Sequence, residues 1–313
     1  MLDFVVISQI LWTSFATSSY FVLFAVAFAL VLKVNKVFNF AQAGVMTCGF
    51  YSAYVVVRFL EWSGVAGFAA GILGALLISY ALERYGFAVL RQRRASPMFV
   101  FIFTLVISQF ISYAIMLIFG TWPTTIFASM FWPVTLIGGI AVSAWDLPAI
   151  GVTVLVLLML WAFLGYSRHG QFMLAVADNA DLAELYGIQK NKILMLSMLI
   201  AGVIVAIGMF LYGSRAQVQA AAATELMLFA VAATILGGIG NLWGAVIAAI
   251  ILGIVQNSSI LFIPSAWQGF LLFAFLFFAI VLFPSGFRLP ERSKGLKRQA
   301  APLPAQPSAK EGS

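Results

Sequence analysis

The chain has 313 residues, of which 63% are apolar and only 9% charged, with a formal net charge of +7 and a mean hydropathy of +1.07. A soluble domain carries about 25% charged residues, so a water-soluble enzyme, a nucleic-acid-binding domain and a disordered chain are excluded. The class that remains is an all-α, polytopic transmembrane helical bundle.

A membrane-crossing helix needs about 20 largely apolar residues. Runs of this kind fall at roughly 8–32, 38–57, 64–82, 99–119, 148–165, 193–212, 226–240, 242–262 and 267–284, which sets an expectation of 8 to 10 spans. Asn39 and Gln42 open the second span, where buried amides must find partners or line a solute path. Gly67, Gly71 and Gly74 give the third span a small-residue face suited to close helix packing. Ser108, Gln109 and Ser112 lie within the fourth, the two serines more in keeping with interhelical packing than with a path. The run 226–240 is short and ends in Gly237, Gly238 and Gly240. Three glycines so close together exceed what one packing contact needs. They point to a tight turn or a broken or re-entrant helix, which lipid tolerates only under protein cover. Gln256 and Asn257 close the eighth span. Residues 1–284 thus form the transmembrane domain. Residues 285–313, rich in Pro, Ala, Lys and Arg, are expected to be a disordered tail whose basic side chains rest on anionic lipid.

Lys and Arg placement orients the bundle. Of the 17 basic residues, only Arg58 and Arg215 fall in one set of loops. All the others, from Lys33 and Lys36 through Arg84, Arg91, Arg93, Arg94, Arg168, Lys190 and Lys192 to the tail, fall in the opposite set, which is therefore expected to be cytoplasmic. The N-terminus then lies outside and the C-terminus inside. No Lys or Arg precedes Lys33, so the basic start of a cleavable signal peptide is missing and the first helix is expected to stay. None of the ten acids falls at mid-membrane on these spans, which weakens a proton relay. Sodium coupling through carbonyls and hydroxyls stays open.

The single Cys48 and single His169 rule out an internal disulfide and a Cys/His zinc site, leaving a small apolar residue and a solvated interfacial histidine. The phosphate-cradling pattern G-x-x-x-x-G-K-[ST] is absent, so any ATP that drives this chain must bind elsewhere. No cofactor is expected.

The most patterned soluble stretch is 166–192. A short helix-favouring run from Gly170 to Ala177 meets Asp178 and Asn179, both good helix caps. Asp181–Tyr186 makes a second short turn, stopped by Gly187. Leu182, Leu185 and Tyr186 share one face by their spacing. Such a unit reads equally as a docking surface or as a connector lying on the membrane.

Three segments resemble one known family. Val37-Phe38-Asn39-Phe40-Ala41-Gln42 resembles the Asn-Phe-Ala-His/Gln signature of branched-chain amino acid ABC permeases of the LivH type. The run from Gly170 through Ala177-Asp178-Asn179 to Leu185, Gly187 and Ile188 resembles that family's G-x-x-x-x-A-x-A-D-N…L-x-G-I loop, and 236–245 its G-G-x-G-x-x-x-G-A segment. The matches keep the family's order over most of the chain. Ala43 and Gly44 follow Gln42 where the family usually has Gly and then an acid. The resemblance implies a permease subunit of an ABC importer of branched-chain or related amino acids, or of small amides or carboxylates, with no covalent chemistry of its own. Its implied partners are cytoplasmic ATPase subunits, a second permease subunit, an extracytoplasmic substrate-binding protein and membrane lipid. In that reading Gly170, Ala177, Asp178, Asn179, Leu185 and Gly187 belong to the coupling element, and Asn39 and Gln42 to the substrate path. A secondary carrier and a non-transport scaffold remain the alternatives.

Overall fold

The computed structural model describes residues 4–127 and 133–259, with scattered positions from 261 to 281. Helix α1 (Phe4–Asn35) turns at Lys36 into α2 (Ala41–Arg58). Helix α3 (Gly64–Ala81) runs through a π-helical turn (Leu82–Phe87) into α4 (Ala88–Gln92), and α5 (Pro97–Phe119) follows. A hairpin of β1 (Val134–Ile137) and β2 (Ile140–Ser143) precedes α6 (Asp146–Tyr166). Two short helices, α7 (Arg168–Asp178) and α8 (Ala180–Leu185), make an elbow leading to α9 (Lys190–Gly213), α10 (Ala222–Leu236) and α11 (Leu242–Ser259). The expected ninth span, 267–284, lies outside the described residues apart from scattered positions, and so does the whole of the tail.

Among the described residues, six helical columns are long and apolar enough to cross a membrane. They begin with α1, α3, α5, α6, α9 and α11. Helix α2 is less apolar, carrying Gln42, Thr47, Ser52, Tyr51 and Tyr54, but it lies inside the bundle against α3, α9, α5 and α10. Helix α10, with 15 residues, spans about 22 Å and is too short for the hydrocarbon core. It is covered by α1, α11 and α2, and most of its side chains are buried, as a short helix in lipid must be.

At the centre stands α1. Every side chain from Ser18 to Leu32 is buried, with alanines 25, 27 and 29 interleaved with Phe21, Phe24 and Phe28. A helix apolar all round needs cover on every side, and α11, α9, α10 and α6 supply it. Helices α5 and α6, equally apolar in sequence, are peripheral and leave most of their side chains on the outside.

Close approach holds α3 to its neighbours. A Cβ on Gly71 would stand 3.0 Å from the Gly49 carbonyl and 3.4 Å from the Ala53 side chain. One on Gly74 would strike Ser52, and one on Gly202 of α9 would strike Ser79. The small-residue face foreseen on the third span is this contact.

Two ion pairs fasten the ends. At the hairpin end Asp146 is 2% exposed. It pairs with Arg215 and accepts hydrogen bonds from Trp12 Nε1 at 3.1 Å and the Ser143 N–H at 3.2 Å. Gln9 docks the hairpin on α1 by accepting from the Ala141 N–H at 2.6 Å and donating to its carbonyl at 3.1 Å. At the opposite end the third span does not stop near residue 82 as expected. Glu83, 1% exposed, is paired with Arg91 two turns on. That neutralisation lets the helix carry an acid past the apolar run. The hairpin is an addition to the all-α expectation. Gly138 and Gly139, at φ +61° and +85°, make the two-residue turn that matches strand twist.

Two outcomes follow for purified protein. Gly71→Leu should cost about 1–3 kcal/mol by overpacking, read as a lower thermal midpoint. Gly151→Leu, where nothing lies within 4 Å of the added Cβ, should leave the midpoint unchanged. Asp146→Asn should cost roughly 2–4 kcal/mol, because a buried pair loses one partner, and adding Arg215→Gln should recover part of that midpoint.

Candidate functional site

The elbow is built from local rules that the sequence states. Ser167 caps α7: its Oγ accepts from the Gly170 N–H at 2.9 Å and donates to the Phe163 carbonyl at 2.7 Å. Gly170 is buried, and a Cβ there would stand 2.7 Å from Leu164 Cα, within the backbone of α6. Only glycine lets α7 fold back so tightly on α6. Met173, Val176 and Ala177 form its buried face, turned toward α6, α9 and α1. His169 and Asp178 are exposed.

Asn179, at φ −150°, breaks the helix and caps the next one, its Oδ1 accepting from the Leu182 N–H at 3.0 Å. Helix α8 then ends in a Schellman motif. The Ile188 N–H donates to the Ala183 carbonyl at 3.1 Å and the Gly187 N–H to that of Glu184 at 2.9 Å, with Gly187 at φ +82°. Ala183 is buried and anchors the turn, whereas Leu182, Leu185 and Tyr186 are 50%, 84% and 81% exposed. A surface ion pair between Lys190 and Asp181, at 3.7 Å, ties α8 to the start of α9. The elbow is therefore a rigid, doubly capped unit presenting an apolar tip.

Asn39 and Gln42 lie at the same end of the bundle, where α1 turns into α2. Both are almost wholly buried. Asn39 Nδ2 donates to Met198 Sδ of α9 at 3.4 Å, while its Oδ1 has no hydrogen-bond partner. Neither atom of the Gln42 amide has one. Around them Ser197 Oγ donates to Asn35 Oδ1 at 3.4 Å, and Thr104 Oγ1 of α5 to the Phe38 carbonyl at 3.3 Å. The cluster is neutral and underbonded, and burying an amide without partners costs about 1–3 kcal/mol by mutational measure. Gly44, standing where the resembled family has an acid, faces Ile111 of α5, which a Cβ would approach to 2.8 Å. A carboxylate there would meet an isoleucine side chain.

Valine 100 and Thr104, Ser108 and Ser112 form a buried stripe on α5, which packs on α2, while Gln109 is exposed. Helix α10 ends at Leu236, and each glycine after it has its own reason. A Cβ on Gly237 would collide with the backbone at Gly244, and Gly238 and Gly240 adopt φ +93° and +87°. Asn241 then caps α11, its Oδ1 accepting from the Gly244 N–H at 3.0 Å. Sequence reasoning missed the Asp146–Arg215–Trp12 cluster. Its signal was a rare acid and a rare base on the same side of an apolar chain.

Comparison with known proteins decides the family. The model of the branched-chain amino acid transport system permease component matches residues 10–280. The chain belongs to that family. It is 26% identical over 299 residues to LivH of Escherichia coli, a high-affinity branched-chain amino acid transport system permease protein, covering 91% of this chain and 96% of the relative. To BraD of Pseudomonas aeruginosa, named in the same terms, it is 26% identical over 292 residues, covering 89% and 94%. Among solved structures, PsaBC from Streptococcus pneumoniae, in complex with Fab, aligns with a TM-score of 0.48 at 12% identity, covering 86% of this chain and 91% of that one. The chain is a multi-pass membrane permease component, and the resemblance of its three segments holds over nearly its whole length.

The caps give a direct prediction. Asn179→Ala should loosen α8 by about 1 kcal/mol, and Gly187→Val should do so by about 1–2 kcal/mol through left-handed strain. Hydrogen exchange at the Leu182 and Ala183 amides would quicken in both variants, with those of α9 unchanged.

Proposed function

We propose that the chain is the membrane permease of an ABC importer for branched-chain or closely related amino acids, driven by separate ATPase subunits that dock on the elbow. The observation that carries this reading is the tip of α8: Leu182, Leu185 and Tyr186 stand exposed on a turn capped at both ends. A rigid apolar tip suits a groove on a soluble partner better than water. In this reading the elbow faces the cytoplasm, the N-terminus lies outside, and the C-terminus lies inside. A second permease chain and an extracytoplasmic binding protein complete the system.

The contacts suggest how a push travels. Closure of the ATPases would move α8, and the Lys190–Asp181 pair and the buried face of α7 would pass that movement to α9, α6 and α1. Met198, two turns into α9, touches Asn39. A shift of α9 would therefore re-expose the Asn39 and Gln42 amides, which gain hydrogen bonds only by meeting a solute or water. Alternation between two packed states, with polar groups buried in one and solvated in the other, is the expected form of such a switch. The neutral character of the cluster suits a solute without net charge.

Uptake into proteoliposomes holding this chain, its ATPases, the second permease chain and the binding protein tests the reading. Leu185→Asp with Tyr186→Asp should abolish ATP-driven uptake and ATPase co-purification while the membrane part stays monodisperse. Wild-type uptake by that variant would remove the elbow from the mechanism. Gln42→Leu should keep the complex and lower uptake at least tenfold, about 1.4 kcal/mol in the transport step.

A further inference from the structure

We propose that the turn joining α4 to α5 is a docking surface for anionic phospholipid in the leaflet at the elbow end of the bundle. Arg93 and Arg94 are exposed there and Arg84 is exposed more than two turns earlier on the same helical column, and among the described residues none of them has a carboxylate partner. The acid that precedes them, Glu83, is buried and committed to Arg91. Two unpaired guanidinium groups thus stand on the turn itself, and a third stands on the helical column that leads into it.

The turn is rigid. Ala95 N–H donates to the Leu90 carbonyl and Arg94 N–H to that of Arg91, both at 3.0 Å. This is the same helix-ending motif as at Gly187. Here, however, the left-handed position, φ +50°, is filled by arginine instead of glycine. On the far side Ser96 caps α5, its Oγ accepting from the Phe99 N–H at 3.3 Å. The backbone at Arg94 thus adopts a conformation that arginine disfavours.

The surroundings are those of a lipid. Leu73, Leu77 and Tyr80 are exposed along one stripe of α3 that leads toward Arg84, and Met98, Phe99 and Ile102 are exposed where α5 begins. The two columns meet where Phe87 stacks edge-on against Phe103, at 5.9 Å between ring centres. Acyl chains have apolar walls on both sides, and a phosphate group at their head meets the arginines. Arg pairs bidentately with phosphate oxygens, and basic clusters just beyond a membrane span attract anionic head groups. The inference needs only that α3 and α5 cross the membrane, so it stands or falls apart from the transport reading.

Native mass spectrometry of the full-length chain, carried in mild detergent with phosphatidylglycerol or phosphatidylcholine, is the test. The wild type should retain phosphatidylglycerol over phosphatidylcholine. The triple change R84Q/R93Q/R94Q should erase that preference, each arginine lost lowering retention roughly fivefold. R84K/R93K/R94K should keep most of it, and R58Q, exposed at the opposite end of the bundle, should leave it intact. If the triple variant does not stay monodisperse, R93Q and R94Q singly give the same reading at a smaller step. Equal retention of the two lipids would overturn the proposal, as would a preference that survives the glutamine changes. So would displacement of the lipid by excess inorganic phosphate, which would mark a free-anion site. Loss of ATPase co-purification with lipid retention unchanged would make the turn a protein contact instead.

Discussion

Backbone meets backbone where α3 crosses α2 and α9, and the bundle depends on that approach. Lipid tails are as apolar as leucine, so helices in a bilayer gain little from hiding greasy faces from one another. Dispersion between closely fitted surfaces must do the work, and it falls off within an ångström of separation. Gly49, Gly71 and Gly202 bring carbonyls and small side chains into contact along one seam. With that seam closed, α2 and α9 are fixed beside α1, and every polar group on their facing sides is fixed with them.

Two polar clusters in the bundle contrast. At the hairpin end the Asp146 and Gln9 network is well bonded, Asp146 meeting Arg215, Trp12 and a backbone N–H and Gln9 pairing with both backbone groups of Ala141, while Ser14 Oγ and Gln256 Oε1 in the same half have no partner. At the elbow end the cluster is underbonded, with Gln42 wholly without partners and Asn39 half satisfied. Saturated networks rigidify a structure, and partly satisfied ones store a cost that another arrangement relieves. The contrast suits a bundle braced at one end and able to rearrange at the other, beside the elbow.

Two exposed surfaces of the elbow end also differ. Around α8 the charges are mixed and the tip is apolar, whereas the turn after α4 exposes Arg93 and Arg94 with no acid beside them. One surface suits a folded partner and the other a charged interface. Rigid caps hold each in place, and they arise from the same helix-ending motif, with glycine at Gly187 and arginine at Arg94.

Much of this was legible in the chain. Apolar runs located the spans because burying backbone in lipid demands helices. Asn179 and Gly187 located the ends of α8 because capping and left-handed geometry depend on a few adjacent residues. The spacing of Gly67, Gly71 and Gly74 announced a close contact, and the short run before Gly237 announced a helix needing cover. What the sequence could not decide was which helix lies inside. Helices α1, α5 and α6 are alike in composition, yet α1 is enclosed and the other two face outward, because position in a bundle is set by the shapes of all its neighbours at once. The pairing of Asp146 with Arg215, 69 residues apart, and the isolation of the Gln42 amide follow from that arrangement. Both are properties of distances in space, and only the folded chain defines those.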